Sequence, residues 1–181
     1  MDFTKICKVS IIGGPSSGKS TLAENLGKRL NLPITHMDAI NYNAGWEEVD
    51  AQKRDEIYRQ IIKEDKWLMD GTYMDTLQER MKVSDLIIFL DYSTIAKVLG
   101  ILKRAIKYRG KERKEIPGCE DRLDFEFLKF TATWNKQKRK KVYKALEGID
   151  EEKKLIFKNR RRLNKWYKEN FNEKMNMDYL K

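Results

Sequence analysis

Eight residues near the start of the chain, Gly13 to Ser20, read GGPSSGKS and fit the phosphate-binding pattern G-x-x-x-x-G-K-[ST]. An apolar strand is predicted just before them, over 8–12, and a helix is predicted to begin at Ser20. Glycines let backbone N–H groups turn inward around a polyphosphate, and a helix N-terminus adds unpaired N–H groups and a positive dipole end. The segment therefore predicts a nucleoside triphosphate site, with a Gly/Ser turn that binds nothing as the alternative.

The end of this motif carries the side-chain chemistry. Lys19 is predicted to place its charge near the β- and γ-phosphates, and the hydroxyl of Ser20 is predicted to bind magnesium. The expected cofactors are therefore ATP and Mg²⁺. The loop residues predicted to contact the nucleotide are Gly13, Pro15, Ser16, Ser17, Gly18, Lys19, Ser20 and Thr21.

Strand-like and helix-like segments alternate along the chain. Strands are predicted over 8–12, 34–37, 67–69, 86–90 and 155–157, and helices over 20–30, 50–64, 75–82, 93–108, 123–146 and from 160 onward. Such alternation predicts an α/β protein with a five-stranded parallel sheet flanked by helices, the three-layer P-loop NTPase fold. We expect a single domain over 1–181, with a short charged lid over about 109–122 and a frayed tail over 170–181.

Composition limits the class of protein. Residues 1–96 hold 12 Lys and Arg against 15 Asp and Glu, whereas residues 97–181 hold 26 against 13. The basic half favours either nucleic acid, an anionic membrane or charged substrates, or simply a lysine-rich solvated surface. Two cysteines without metal-type spacing, no secretory signal and no membrane-length apolar run predict a cytoplasmic protein that does not associate with membranes.

Acidic residues follow three of the predicted strands, namely Asp38, Asp70 and Asp91. Ligands of open α/β sheets bind at the carboxyl ends of the strands, which favours a functional role for Asp38 and Asp70 over a turn or capping role. Asp91 is expected only to bound the next helix. The single histidine, His36, is predicted to be a packed residue rather than a base.

Arginines supply candidate clamps, because a guanidinium matches phosphate oxygens and keeps its charge. Arg80 is predicted to reach an anionic group of the acceptor. A closing lid would bring further arginines to the γ-phosphate and exclude water; each could instead be a solvated surface residue. These lid candidates are Arg104, Arg109, Arg113 and Arg122.

The whole layout resembles the adenylate-kinase-like group of small P-loop kinases, through the loop and through Asp70-Gly71. More narrowly, it resembles the bacterial DNA topology modulation proteins. The segments that carry this resemblance are His36-Met37-Asp38, Gly45-Trp46, Trp67-x-Met69-Asp70-Gly71-x-Tyr73, Tyr108-Arg109-Gly110, Gly118-Cys119-x-x-Arg122-Leu123-Asp124 and Phe127-Leu128, and together they span about 6–165.

The resemblance implies a nucleoside-monophosphate-kinase-like fold and assigns residue roles. Asp38 would contact the acceptor and take its proton, and Asp70 would hold magnesium-bound water. Arg160 would contact the base and ribose, and Tyr73 would line the acceptor site, although it could equally pack between helices. The residues expected to act catalytically are Lys19, Asp38, Arg104, Arg109 and Arg122, and those expected at the acceptor are Asp38, Tyr73 and Arg80.

Two functions remain open at this level. The first is a magnesium-dependent kinase that moves the γ-phosphate of ATP to a small acceptor, which could be a nucleotide, a nucleoside or another metabolite. The second is a nucleotide-dependent regulator that binds DNA through the basic segments Lys136–Lys141 and Arg160–Arg162. A GTPase is a poor fit because the chain has no Asn-Lys-x-Asp signature.

Overall fold

The computed structural model of the protein describes residues 1–108, 112–113, 116–120 and 125–176. Its strands are β1 (Lys8–Gly13), β2 (Ile34–His36), β3 (Trp67–Asp70), β4 (Leu86–Leu90), β5 (Glu112–Arg113), β6 (Ile116–Glu120) and β7 (Lys154–Phe157). Its α-helices are α1 (Lys19–Leu30), α2 (Met37–Asn41), α3 (Ala51–Lys63), α4 (Met74–Val83), α5 (Thr94–Tyr108), α6 (Phe125–Gln137), α7 (Arg139–Leu146) and α8 (Arg160–Phe171). Within these described ranges, no helix is both long enough and apolar enough to cross a bilayer.

Five strands form the main sheet in the order β2-β3-β1-β4-β7, and every neighbouring pair is parallel. Strand β4 is a continuous apolar run whose residues are all fully buried, as expected for a central strand covered on both faces. Leu22 of α1 and Leu163 of α8 share a core cluster with Ile88 on one face. Leu77 of α4 and Trp134 of α6 pack on the other face. The predicted three-layer fold is confirmed.

Two helices replace the single long helix predicted over 123–146. Helix α6 ends at Gln137 and α7 begins at Arg139, with Lys138 between them at φ −107° and ψ −31°. The N–H of Lys138 still donates to the carbonyl of Trp134 over 2.8 Å, so this hydrogen bond is kept at the break between the two helices. Trp134 of α6 is buried, whereas Phe130 of the same helix is 41% exposed.

Hydrogen bonds hold the C-terminal segment against α1 as far as Asn176. The N–H of Asn176 donates to Asn25 Oδ1 over 2.7 Å, and Asn25 Nδ2 donates back to the carbonyl of Asn176 over 2.9 Å. Phe171, at the end of α8, is buried in the same core as α1. The predicted frayed tail is therefore wrong for 170–176, and its remainder, 177–181, lies outside the described residues.

Strands β5 and β6 form an antiparallel pair within the segment predicted as a lid. The contacts of β6 fix where this pair lies. The thiol of Cys119, which is fully buried, donates to the carbonyl of Asn43, and the N–H of Trp46 donates to its sulfur. A Cβ on Gly118 would lie 2.6 Å from Ala44 Cβ. The pair therefore rests on the segment that follows α2.

Candidate functional site

The phosphate-binding loop connects β1 to α1 at the carboxyl edge of the sheet, which is the predicted strand–loop–helix setting. Gly13 has φ 156°, and a Cβ there would lie 2.9 Å from both the carbonyl of Leu90 and Ser17 Oγ. Gly18 is left-handed at φ 88° and supplies no side-chain cap to α1. Because a helix start has four N–H groups without intrahelical partners, the first turn of α1 can bind an anion.

Lys19 lies across this loop. Its Nζ donates to the carbonyl of Gly14 over 3.1 Å, and Ser17 Oγ donates to the same carbonyl over 2.9 Å. The ammonium of Lys19 thus reaches the part of the loop that contains Gly14. This is the placement expected of a lysine that bridges β- and γ-phosphates.

Asp70 and Ser20, the two predicted magnesium residues, come together beneath the loop. Asp70 ends β3 and pairs in register with Ile11 of β1. Its burial alone would raise the pKa of this carboxyl, but hydrogen bonds from His36 and Ser20 and the charges of His36 and Lys19 lower the pKa below its usual value. An anionic carboxylate beside a hydroxyl fits Mg²⁺, which takes few protein oxygens and completes its shell with phosphate and water.

His36 has a role in the site that the sequence did not predict. Its Nδ1 lies 2.7 Å from Asp70 Oδ1, and its Nε2 lies 3.2 Å from Glu24 Oε1. The imidazole links β2 and α1 to the end of β3 and orients the Asp70 carboxylate. Its position two residues before Asp38, at a strand end, is a sequence signal that could have identified it.

Residues predicted for the acceptor lie around Asp38, and this region is called the acceptor side below. This residue is exposed in the first turn of α2, because β2 ends earlier than predicted, at His36. Burial raises the pKa of both Tyr42 and Tyr73, and the charge of Asp38 contributes in the same direction at each. Tyr73 was predicted for this site and lies near it. Tyr42 and Trp46 pack edge to face at 5.5 Å between ring centroids.

Arg54 of α3 also lies in this region, although the sequence did not predict it. Its Nη1 donates to the hydroxyl of Tyr73 over 2.8 Å, and its guanidinium lies 4.8 Å from the centroid of that ring. Its charge also acts on Tyr42. An arginine therefore does lie among the residues predicted for the acceptor, but it is Arg54 of α3, whereas the sequence predicted Arg80 of α4.

Arg80 does not reach the acceptor side. It is fully buried, and its Nη2 donates to the carbonyl of Gly71 over 2.6 Å. Burial lowers the pKa of the guanidinium to about 10, with the charges of Tyr58 and Asp70 opposing the shift. The prediction that Arg80 binds an acceptor anion is wrong for this structure, because α4 turns that side chain into the protein interior beneath β3.

Of the other predicted arginines, Arg104 and Arg160 have side chains that the structure describes. Arg160, at the start of α8, brings a guanidinium nitrogen within 3.5 Å of a Cβ placed on Gly18, so it lies beside the phosphate loop. Its contact with a base and ribose stays a prediction. The guanidinium of Arg104 lies 5.8 Å from the centroid of the Phe127 ring, between α5 and α6. The side chains of the other three lid candidates lie outside the description, namely Arg109, Arg113 and Arg122.

Asp91, at the end of β4, forms a structural ion-pair cluster rather than a helix boundary alone. Its side chain is fully buried, and Arg139 Nη2 and the Tyr143 hydroxyl each donate to Oδ2 over 2.7 Å. Lys158 donates to the same oxygen. Burial would raise the pKa of Asp91, but these three hydrogen bonds lower it. Ser93 caps α5 instead, since its Oγ accepts from the N–H of Ala96.

No protein-family model and no curated protein matches this sequence. Solved structures do match its fold. Shikimate kinase from Acinetobacter baumannii, in complex with shikimate, has a TM-score of 0.59 at 14% identity, covering 94% of this chain and 98% of that one. Deoxyadenosine kinase from M. mycoides with bound dATP has a TM-score of 0.53 at 15% identity, covering 92% and 100%. Shikimate kinase from Bacteroides thetaiotaomicron gives 0.53 at 16%, covering 93% and 99%.

These likenesses establish the fold. The chain has the three-layer α/β architecture of small P-loop kinases. At such low identities they leave the reaction to be inferred from the site itself.

Proposed function

We propose that the protein is an ATP- and Mg²⁺-dependent kinase that transfers the γ-phosphate to a hydroxyl group of a small acceptor. The observation that supports this most strongly is the shared edge of β2, β3 and β1, where Asp38, Asp70 and the phosphate loop follow neighbouring strands. A triphosphate in the loop would point its terminal phosphate between Lys19 and the acceptor side. The small-molecule ligands of the structural neighbours, shikimate and dATP, are in keeping with this proposal.

In the proposed reaction the acceptor oxygen attacks the γ-phosphorus and forms the new P–O bond. The bond from that phosphorus to the β–γ bridging oxygen breaks, and ADP leaves with the electron pair. Asp38 accepts the proton of the acceptor hydroxyl, while Lys19 stabilises charge on the β- and γ-oxygens. Mg²⁺ held near Ser20 and Asp70 would neutralise further negative charge on the same oxygens.

The acceptor site combines unlike groups. Asp38 and Glu48 supply negative charge, Arg54 supplies positive charge, and the rings of Tyr42 and Tyr73 supply flat apolar surface. This mixture suits a polar metabolite with at least one hydroxyl group, and nucleosides and nucleotides are candidates. We further propose that the arginines of the lid, with Arg104 beside it, contact the γ-phosphate when the lid closes.

The test is a screen of metabolites for acceptor-dependent conversion of ATP to ADP, followed by comparison of Asp38→Asn with wild type. We expect the substitution to lower the rate of transfer at least about 100-fold, the lower range for a general base, and to leave MgATP affinity within about threefold. Asp65→Asn, an exposed aspartate between α3 and β3, is the matched control. If Asp38→Asn loses MgATP affinity but transfers normally per bound ATP, the assigned role of Asp38 is wrong.

The DNA-binding alternative gains no specific support from the described side chains. Arg139, within the basic segment 136–141, is paired with Asp91, and Arg160 faces the phosphate loop. Membership of the topology modulation family stays a resemblance. Titration of duplex DNA at two salt concentrations, with and without ATP, separates the cases, because generic charge gives weak binding that disappears with salt.

A further inference from the structure

Lys97 is a buried lysine that has no part in the reaction proposed above. It is the fourth residue of α5 and is fully buried. Its Nζ donates to Asn135 Oδ1 of α6 over 2.6 Å and lies 4.4 Å from the centroid of the Trp134 ring. An ammonium carries three N–H donors, so this hydrogen bond uses one of them.

The ammonium lies directly against the phosphate loop. A Cβ placed on Gly14 would be 2.7 Å from both Nζ and Cδ of Lys97, so the lysine occupies space that any side chain at position 14 would need. One turn further along α5, Gly100 packs so closely on Ser16 that an added Cβ would lie 2.9 Å from its carbonyl oxygen. Helix α5 is thus held against the loop at two points.

The charge balance around Lys97 favours an anion. Burial, together with the positive charges of Lys19 and Arg139, lowers the pKa of this amine to about 8, although the charge of Asp91 acts in the opposite direction. Asp91 already accepts from Arg139, Lys158 and Tyr143. A neutral amide and an aromatic face do not offset a buried cation fully, whereas a phosphate at the loop would.

The position of Lys97 along the loop indicates which phosphate it would contact. Lys19, the residue that reaches the β- and γ-phosphates in such loops, donates here to the carbonyl of Gly14. Gly14 therefore lies at the terminal-phosphate end, and Lys97 approaches the same glycine from α5. A β-phosphate would be held further along, by the N–H groups at the start of α1.

We propose that Lys97 is a second cation for the γ-phosphate, contacting its oxygens together with Lys19 and discriminating ATP from ADP. This inference rests on the proposed function, since it requires a triphosphate in the loop. Asn135 is a positioning residue, because its side-chain oxygen holds the Lys97 ammonium toward Gly14 and its own Nδ2 donates to the carbonyl of Tyr92 over 3.3 Å.

The experiment is calorimetric titration of wild type, Lys97→Met and Lys103→Met with MgATP and with MgADP. Lys103 is an exposed lysine of the same helix and serves as the matched control. We expect Lys97→Met to weaken MgATP binding about tenfold or more, the loss of one charged hydrogen bond, and to change MgADP binding less than about threefold. Lys103→Met should change neither. The melting temperature of unliganded Lys97→Met should equal or exceed that of wild type, because the variant removes a buried charge.

Each outcome decides between the two proposals. Equal loss of MgATP and MgADP affinity, or loss of neither, would overturn the role of Lys97 while leaving the kinase proposal intact. If wild type binds neither nucleotide, both fall. Lys97→Gln, which keeps a hydrogen-bonding group and removes the charge, replaces the methionine variant if that variant does not fold, and the same comparison of MgATP with MgADP applies to it.

Discussion

Gly100 of α5 lies in close contact with the phosphate loop. Replacing this glycine with alanine should weaken nucleotide binding clearly while changing the free energy of unfolding only modestly. The new methyl would lie 2.9 Å from the carbonyl oxygen of Ser16 and 3.3 Å from its Cβ, where ordinary contact begins at 3.4 Å. The contact must therefore open by about 0.5 Å. Ser16 has φ 52°, so the loop is already in a conformation that residues other than glycine seldom adopt.

Two effects on stability oppose each other. Alanine is favoured over glycine inside a helix by about 1 kcal/mol, whereas overpacking costs about 1–3 kcal/mol. The net change in the free energy of unfolding should therefore lie between about zero and a loss of 2 kcal/mol. Phosphate binding is also expected to depend on loop position, because hydrogen bonds weaken as their distance and angle depart from the ideal. A shift of about 0.5 Å should weaken MgATP binding about tenfold, roughly the loss of one hydrogen bond to a charged group.

The assay is calorimetry with MgATP together with urea unfolding, on wild type, Gly100→Ala and Leu99→Ala. Leu99 is the preceding residue of the same helix and is 52% exposed, so its truncation should leave the loop in place. Wild-type affinity in Gly100→Ala, with wild-type stability, would refute the tight contact between α5 and the loop. Equal loss of affinity in Leu99→Ala would show that general damage to α5 explains the effect.

Two further substitutions test the fold and the acceptor side. Asp91→Asn should lower the free energy of unfolding by about 2–3 kcal/mol in urea titrations, below the usual range for breaking a buried pair, because Arg139 and Lys158 are 41% and 46% exposed and can turn to water. The pKa of Asp91 is lowered in the folded state, so its contribution to the free energy of unfolding is present above about pH 4 and is lost as pH falls through the folded pKa. A difference in the free energy of unfolding between wild type and Asp91→Asn that stays constant below about pH 4 would contradict this. Arg54→Gln should lower acceptor-dependent turnover about tenfold with MgATP affinity unchanged, whereas Arg59→Gln, an exposed position of the same helix, should change neither.

The local parts of this molecule could be predicted from the sequence. The GGPSSGKS segment requires glycines at particular backbone positions, and Gly13 and Gly18 have the positive φ values expected. The unbroken apolar run Leu86–Leu90 is typical of a buried parallel strand, and it is the fully buried β4.

The positions of three basic side chains depended on tertiary packing. Arg80 follows Leu77 by three residues and lies on the buried face of α4, whereas Lys97 precedes the buried Ile101 by one helical turn. Arg54 precedes the buried Tyr58 by four residues. Each cation continues an apolar stripe, which is a sequence signal for burial. Whether such a residue ends up in the core, under the loop or at the acceptor depends on which element that face packs against.

The proposed function requires the loop after β1 to bind the phosphates of a nucleoside triphosphate through backbone N–H groups and Lys19. Calorimetry of wild type and Lys19→Ala with MgATP tests it directly. We predict saturable binding by wild type and at least tenfold weaker binding by Lys19→Ala with its melting temperature retained, because one charge contact to the phosphates is lost. If wild type binds no purine triphosphate, or if Lys19→Ala keeps the affinity of wild type, the loop does not bind phosphates in this way.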